Sequence, residues 1–216
     1  MRPAAVIFDN DGLLLDTESV WTRAEEDLFA RRGREFTLAH KQELVGTSAL
    51  VAGRLLARQL DLPGREVELV AELDELVLEE LERGVEPMPG ALELVAELRA
   101  LEVPIGLVSN SPGRFIARAL ELVGLVNQFD VVVSGHDVAA PKPAPDAYLA
   151  ACRELGIVAD ARVIVLEDSP TGVAAGVAAG LTVIGVPSLA GVELDHAHDV
   201  VASLIEPALR EHLGLG

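Results

Sequence analysis

Five short apolar runs, rich in Val, Ile or Leu, recur along the chain at positions 4–8, 103–108, 131–133, 163–166 and 182–186. Each is continuous rather than alternating, which is the pattern of strands buried on both faces of a parallel sheet. Apolar residues take helical spacing over 91–101, 114–123, 146–155 and 171–179. These stretches follow the turn residues Pro89-Gly90, Pro112-Gly113, Pro145 and Pro170, and prolines suit helix starts. Strand and helix in alternation predict an α/β fold with a doubly wound parallel sheet.

One stretch breaks the alternation. Between about residues 17 and 86 no strand-like run occurs, and helical patterns cover 20–31, 40–45, 50–59 and 66–83. In the last of these, Leu69, Val70, Leu73, Leu76, Val77 and Leu81 share one face, while Asp and Glu fill the other. That acidic stripe reads as a solvated surface. A helical block after the first strand reads as an insertion. Residues 1–16 and 86–216 are expected to form a Rossmann-like core and residues 17–85 an all-α cap. Hinges near 16–18 and 84–87 are expected to let the cap open and close. The repeated Gly-Val-Ala-Ala of 172–179 reads as a small-residue helix packed closely on the sheet.

The polar residues that end these runs carry the chemistry. The first run ends in Asp9-Asn10-Asp11-Gly12, the second in Ser109-Asn110 and the fourth in Glu167-Asp168-Ser169. In open parallel sheets ligands bind beyond the carboxyl ends of the strands, so three polar endings point to one site. Asp9 and Asp11, two apart, can face the same crevice, and Gly12 permits a sharp turn. Asp9 directly follows Ile7-Phe8 and is expected to be buried. That costs a carboxylate roughly several kcal/mol unless it is paired or metal-bound. With Glu167 and Asp168, four carboxylates would share the crevice and repel one another. A hard dication relieves this, and an oxygen-only donor set favours magnesium or calcium over zinc.

Composition narrows the picture further. Half of the 216 residues are hydrophobic but only 3% are aromatic, so the core must rest on Leu, Val and Ala. Asp and Glu number 35 against 17 Lys and Arg, for a formal charge of -18. Such a field disfavours nucleic acid as a partner, and any phosphate site must be locally compensated. Only two of the 17 basic residues are lysines, Lys41 and Lys142. Lys142 lies between Pro141 and Pro143, whose fixed backbone aims a compact ammonium suited to phosphate. Lone Cys152 excludes an intramolecular disulfide and a multi-cysteine zinc site and reads as a buried thiol. No signal-peptide layout is visible, and no apolar run reaches the ~18 residues of a membrane span. A cytoplasmic monomer with no membrane partner is expected.

Phe8-Asp9-Asn10-Asp11-Gly12 with Asp16-Thr17, then Ser109-Asn110, Lys142-Pro143 with Pro145-Asp146, and Glu167-Asp168-Ser169 with Gly172 resemble the haloacid dehalogenase superfamily. The motifs fall in that family's order across residues 8–172 and leave room for its helical cap. The resemblance implies that Asp9 is a nucleophile forming an aspartyl-phosphate. It implies that Asp11 protonates the leaving oxygen, activates water, and lends its backbone carbonyl to Mg2+. Ser109 would bind phosphoryl oxygens with help from the Asn110 backbone. Lys142 would offset charge on Asp9 and the phosphoryl group, and Asp168 with Glu167 would hold the metal.

Within the superfamily, Asp11 argues against dehalogenation, which needs no acid there. The chain is similar to the β-phosphoglucomutase-like group and its sugar phosphatases. Mutases of that group carry a His shortly after the Asp-Thr hinge, where this chain has Trp21. A phosphatase acting on a small phosphate ester such as a sugar phosphate is therefore expected, with a phosphosugar mutase as the alternative. Phosphonate hydrolysis needs a cap lysine, and Lys41 reads as an exposed helix start. A receiver-like switch lacks an inserted block and an acid such as Asp11. Trp21 is a candidate for stacking on a sugar face. Glu18 and the loop Gly46-Thr47-Ser48 are further candidates for substrate contact, although a turn explains that loop equally well.

Overall fold

In the computed structural model, which describes residues 2–45, 47–188 and 191–215, the apolar runs form one parallel sheet. Its strands are β1 (Ala5–Phe8), β2 (Ile105–Ser109), β3 (Val131–Ser134), β4 (Val163–Glu167), β5 (Thr182–Gly185) and β6 (Asp199–Val200). They lie in the order β3-β2-β1-β4-β5-β6. Every residue of β1, β2 and β4 is buried, as central strands under helices on both faces require. Val6 sits opposite Ile105 on one side and Ile164 on the other. The chain steps outward from β1 through β2 to β3, then returns to β4 on the opposite flank of β1. Strand order therefore reverses between β1 and β4, which opens the crevice where such sheets bind ligands. Asp9 immediately follows β1 and Glu167 ends β4.

Two strand expectations need correction. β3 is an edge strand rather than one buried on both faces, and Val132 is 44% exposed. The sheet also has a sixth strand, β6. It is only two residues long and exposed at both, so no apolar run announces it.

The core helices α5 (Ala91–Ala100), α6 (Gly113–Leu122), α7 (Asp146–Glu154) and α8 (Pro170–Ala178) follow the predicted alternation, and α9 (Pro207–His212) closes the chain. α8 starts where Ser169 Oγ accepts from Gly172 N at 3.1 Å and Pro170 fills the first turn. Small residues here are a packing requirement. A Cβ on Gly172 would come within 1.7 Å of Glu167 Oε1, and one on Gly176 within 2.7 Å of Val183 Cγ2.

Residues 17–85 form a second compact unit, distinct from residues 1–16 and 86–216. It is helical: α1 (Glu18–Ala30), α2 (Leu38–Leu44), α3 (Ala49–Leu60) and α4 (Glu66–Leu81). Leu69, Leu73, Leu76, Val77 and Leu81 of α4 are buried. The acidic face of α4 is less solvated than expected. Glu80 is buried and accepts from Arg23 Nε at 2.9 Å, and Glu72 pairs with Arg32. α2 begins two residues earlier than its apolar pattern indicates because Thr37 and His40 form a reciprocal cap. Thr37 Oγ1 accepts from His40 N, and Thr37 N donates to His40 Nδ1.

Candidate active site

Asp9 is buried at the end of β1, and the ammonium that meets it comes from Lys142, which is 4% exposed. Lys142 Nζ donates to Asp9 Oδ1 at 2.6 Å, to Glu167 Oε1 at 2.6 Å and to Val108 O at 2.9 Å. Three donors thus meet three acceptors, which fixes the head group. Its loop is clamped from β2: Asn110 Oδ1 accepts from Lys142 N at 3.0 Å and Asn110 Nδ2 donates to Lys142 O at 3.2 Å. The Asn110 side chain therefore serves the lysine loop. Burial alone would favour neutral Lys142, but Asp9 and Glu167 outweigh it and hold its pKa well above the usual lysine range. Asp9 is pushed well above the usual carboxylate range, first by burial and then by Glu167, Asp168 and Asp11, with Lys142 opposing.

Asp11 lies on the turn after β1, where Gly12 adopts φ +82 and its N–H donates to Leu15 O at 2.9 Å. Ser109 Oγ donates to Asp11 Oδ2 at 2.5 Å and Ser111 Oγ to the same oxygen at 2.8 Å. Ser111 N donates to Ser109 Oγ at 2.9 Å, and Ser134 Oγ at the end of β3 donates to Ser111 O at 2.8 Å. Neither Ser111 nor Ser134 stands out in the sequence. Ser111 is two residues beyond Ser109 at a strand end, a position that could have drawn notice.

Glu167 is enclosed by donors. Tyr148 Oη joins Lys142 on Oε1 at 2.7 Å, and Ser169 N and Oγ reach Oε2 at 3.3 and 3.1 Å. Tyr148 is the chain's single tyrosine and is fully buried; its ring lies 5.0 Å from Lys142 Nζ. Its rarity, just after Pro145-Asp146, was a usable cue. Asp168 Oδ2 accepts from Ser188 Oγ at 2.6 Å. One carboxylate oxygen from each of Asp9, Glu167 and Asp168 lies within 4.8 Å of the others. Hard oxygen donors so grouped fit a magnesium-type dication. The Asp11 carboxylate is not in this cluster and faces the serines. The first unit thus brings together Asp9, Asp11, Ser109, Asn110, Lys142, Glu167 and Asp168.

Residues 3–180 match the family model of haloacid dehalogenase-like hydrolases. The chain belongs to this family. It is 37% identical to (DL)-glycerol-3-phosphatase 2 of Arabidopsis thaliana, over 94% of this chain and 86% of that one. It is 34% identical to hexitol phosphatase B of Escherichia coli K12, over 85% and 83%. Among solved structures, CbbY from Rhodobacter sphaeroides in complex with phosphate matches with a TM-score of 0.83 at 28% identity, over 94% and 96%. This haloacid dehalogenase-like hydrolase is an enzyme of the phosphatase kind.

The hydrolase's remaining candidates, Glu18 and Trp21, stand on α1 of the helical unit. Glu18 Oε2 lies 3.0 Å from Lys41 Nζ, which also donates to Glu25 Oε2 at 3.0 Å. Lys41 is therefore a largely buried ion-pair partner, its side chain 14% exposed, and not the exposed helix start expected. Trp21 is half-buried. Gly46 lies outside the described residues. Thr47 Oγ1 donates to Leu44 O at 2.8 Å, as a simple turn residue does. No helix among the described residues is long and apolar enough to cross a membrane.

Proposed function

We propose that the chain is a magnesium-dependent phosphatase for a small polyhydroxylated phosphate monoester, a sugar or polyol phosphate, acting through an aspartyl-phosphate on Asp9. In this reading residues 1–16 and 86–216 are the catalytic core, and residues 17–85 are a substrate-selecting cap that offers Glu18 and Trp21. The observation that carries it is the charge imbalance of one crevice. Three carboxylates, Asp9, Glu167 and Asp168, cluster at a single ammonium, Lys142, whose three donors are already engaged, and the charge of Asp11 lies near enough to act on Asp9. A phosphate dianion can enter only with added positive charge. Asp9, the Asp11 backbone carbonyl, Glu167 and Asp168 would hold Mg2+, which supplies that charge at the phosphoryl oxygens.

The side chains divide the remaining work. An Asp9 carboxylate oxygen attacks phosphorus, and the bond to the leaving oxygen breaks as Asp11 gives that oxygen a proton. Asp11 then takes a proton from water as the water oxygen attacks phosphorus, and Asp9 departs as a carboxylate. Lys142 offsets charge on Asp9 and the phosphoryl group, and Ser109 and the Asn110 backbone orient the phosphoryl oxygens. Trp21, where related mutases carry a histidine, favours hydrolysis over intramolecular phosphoryl exchange. The named activities of the glycerol-phosphate and hexitol-phosphate relatives support a polyol-like substrate.

Phosphate release from a panel of sugar and polyol phosphates, assayed with Mg2+ and then with EDTA, tests the proposal. The expected result is release confined to the Mg2+ arm, with these esters preferred over aryl and nucleotide phosphates. Release undiminished by EDTA would contradict the metal role. Isomerisation of a hexose phosphate without release would replace the phosphatase reading with the mutase one.

A further inference from the structure

Sequence motifs draw attention to the ends of the first, second and fourth strands, yet the segment after β5 also reaches this cluster. Val186 N donates to Glu167 O at 2.7 Å, which ties that segment to the end of β4 beside Asp168. Pro187 restricts the backbone there, and the next residue, Ser188, places its Oγ 2.6 Å from Asp168 Oδ2. The pair packs against the turn after β1: a Cβ on Gly12 would lie 2.2 Å from Asp168 Oδ2 and 3.0 Å from Ser188 Oγ. Three strand ends therefore meet at one carboxylate oxygen.

We propose that Ser188 is a positioning residue for the cation site, holding the Asp168 carboxylate in its ligating orientation by donating a hydrogen bond to Oδ2. This rests on the reading of Asp168 as a metal ligand. The physical case is one of pre-organisation. Asp168 sits beside Glu167 and Asp9, and like charges favour swinging one carboxylate away when no cation is bound. A carboxylate pinned at Oδ2 can turn about its Cβ–Cγ bond only by giving up a 2.6 Å hydrogen bond. The absence of any side chain on Gly12 leaves room for the pair. Donors to metal-binding carboxylates typically account for about 10- to 100-fold in metal affinity.

The test is Mn2+ binding to the full chain without substrate, read by water-proton relaxation, for wild type, Ser188→Ala, Ser188→Thr and Asp168→Asn, with melting temperatures alongside. Ser188→Ala is expected to weaken Mn2+ binding about 10- to 100-fold with little change in melting temperature, and Ser188→Thr, which restores a hydroxyl, to stay near wild type. Unchanged affinity in Ser188→Ala, with Asp168→Asn impaired, would overturn the role of Ser188 and leave the metal site standing. A loss in Ser188→Ala that tracks a lowered melting temperature and is not rescued by threonine would assign Ser188 to structure alone. No Mn2+ binding by wild type, or wild-type affinity in Asp168→Asn, would overturn the metal reading itself.

Discussion

At the scale of single residues, the site turns on how one buried ammonium is shared. Lys142 serves Asp9 and Glu167 equally, at 2.6 Å each, so whatever fixes Glu167 also fixes the charge beside Asp9. Tyr148 is one such fixture, donating to the same Glu167 oxygen, while Ser169 holds the other. Tyr148→Phe deletes a buried hydrogen bond to a carboxylate and is expected to cost about 1–3 kcal/mol of stability, measured by urea denaturation; an unchanged midpoint would show that the bond contributes nothing. Asp9, Asp11, Ser109, Lys142, Glu167 and Asp168 were legible in the sequence because each is a polar residue in an apolar or proline-bounded setting, where it needs a reason to be. Ser111, Ser134 and Ser188 were not, and Tyr148 offered only its rarity. A serine in a loop is ordinary and a tyrosine in a helix reads as core. Their significance lies in what they touch across the fold.

At the scale of elements, burial on both faces made β1, β2 and β4 readable; its absence hid β6, and the apolar run of β3 located that strand without revealing its place at the sheet edge. The start of α2 was missed because its cap uses His40, where the usual signature has Glu or Gln. The exposed reading of Lys41 failed because its partners, Glu18 and Glu25, lie on a different helix. Here α1 and α2 share a titrating group. Glu25 is buried, and burial raises its pKa from 4.5 to about 7; Lys41 opposes this, while Glu18 and Glu26 reinforce it. Because the folded state holds this proton more tightly than the unfolded state, stability falls as pH rises from about 4.5 to about 7. At about 1.4 kcal/mol per pKa unit, the contribution is on the order of 3 kcal/mol. Glu25→Gln has no such proton to lose. Urea denaturation of both proteins at pH 5 and pH 8 is expected to show wild type losing ground to the variant at the higher pH. Parallel pH dependences would contradict the shift.

At the scale of the whole molecule, a chain of net charge -18 that handles phosphate esters needs positive charge supplied locally at its site. The switch point between β1 and β4 is where Lys142 meets the carboxylate cluster, brought together from three separate segments. The chain divides into residues 1–16 with 86–216 and residues 17–85, and the proposed function gives the chemistry to the first unit and substrate choice to the second. That Asp9 carries the phosphoryl group is tested most directly by rapid acid quench of Asp11→Asn with a turned-over sugar or polyol phosphate, followed by mass spectrometry. The predicted result is one phosphoryl group on the peptide containing Asp9, absent when Asp9→Asn is added, together with loss of turnover in folded Asp9→Asn alone. Wild-type turnover by folded Asp9→Asn, or a phosphoryl group trapped on another residue, would contradict it.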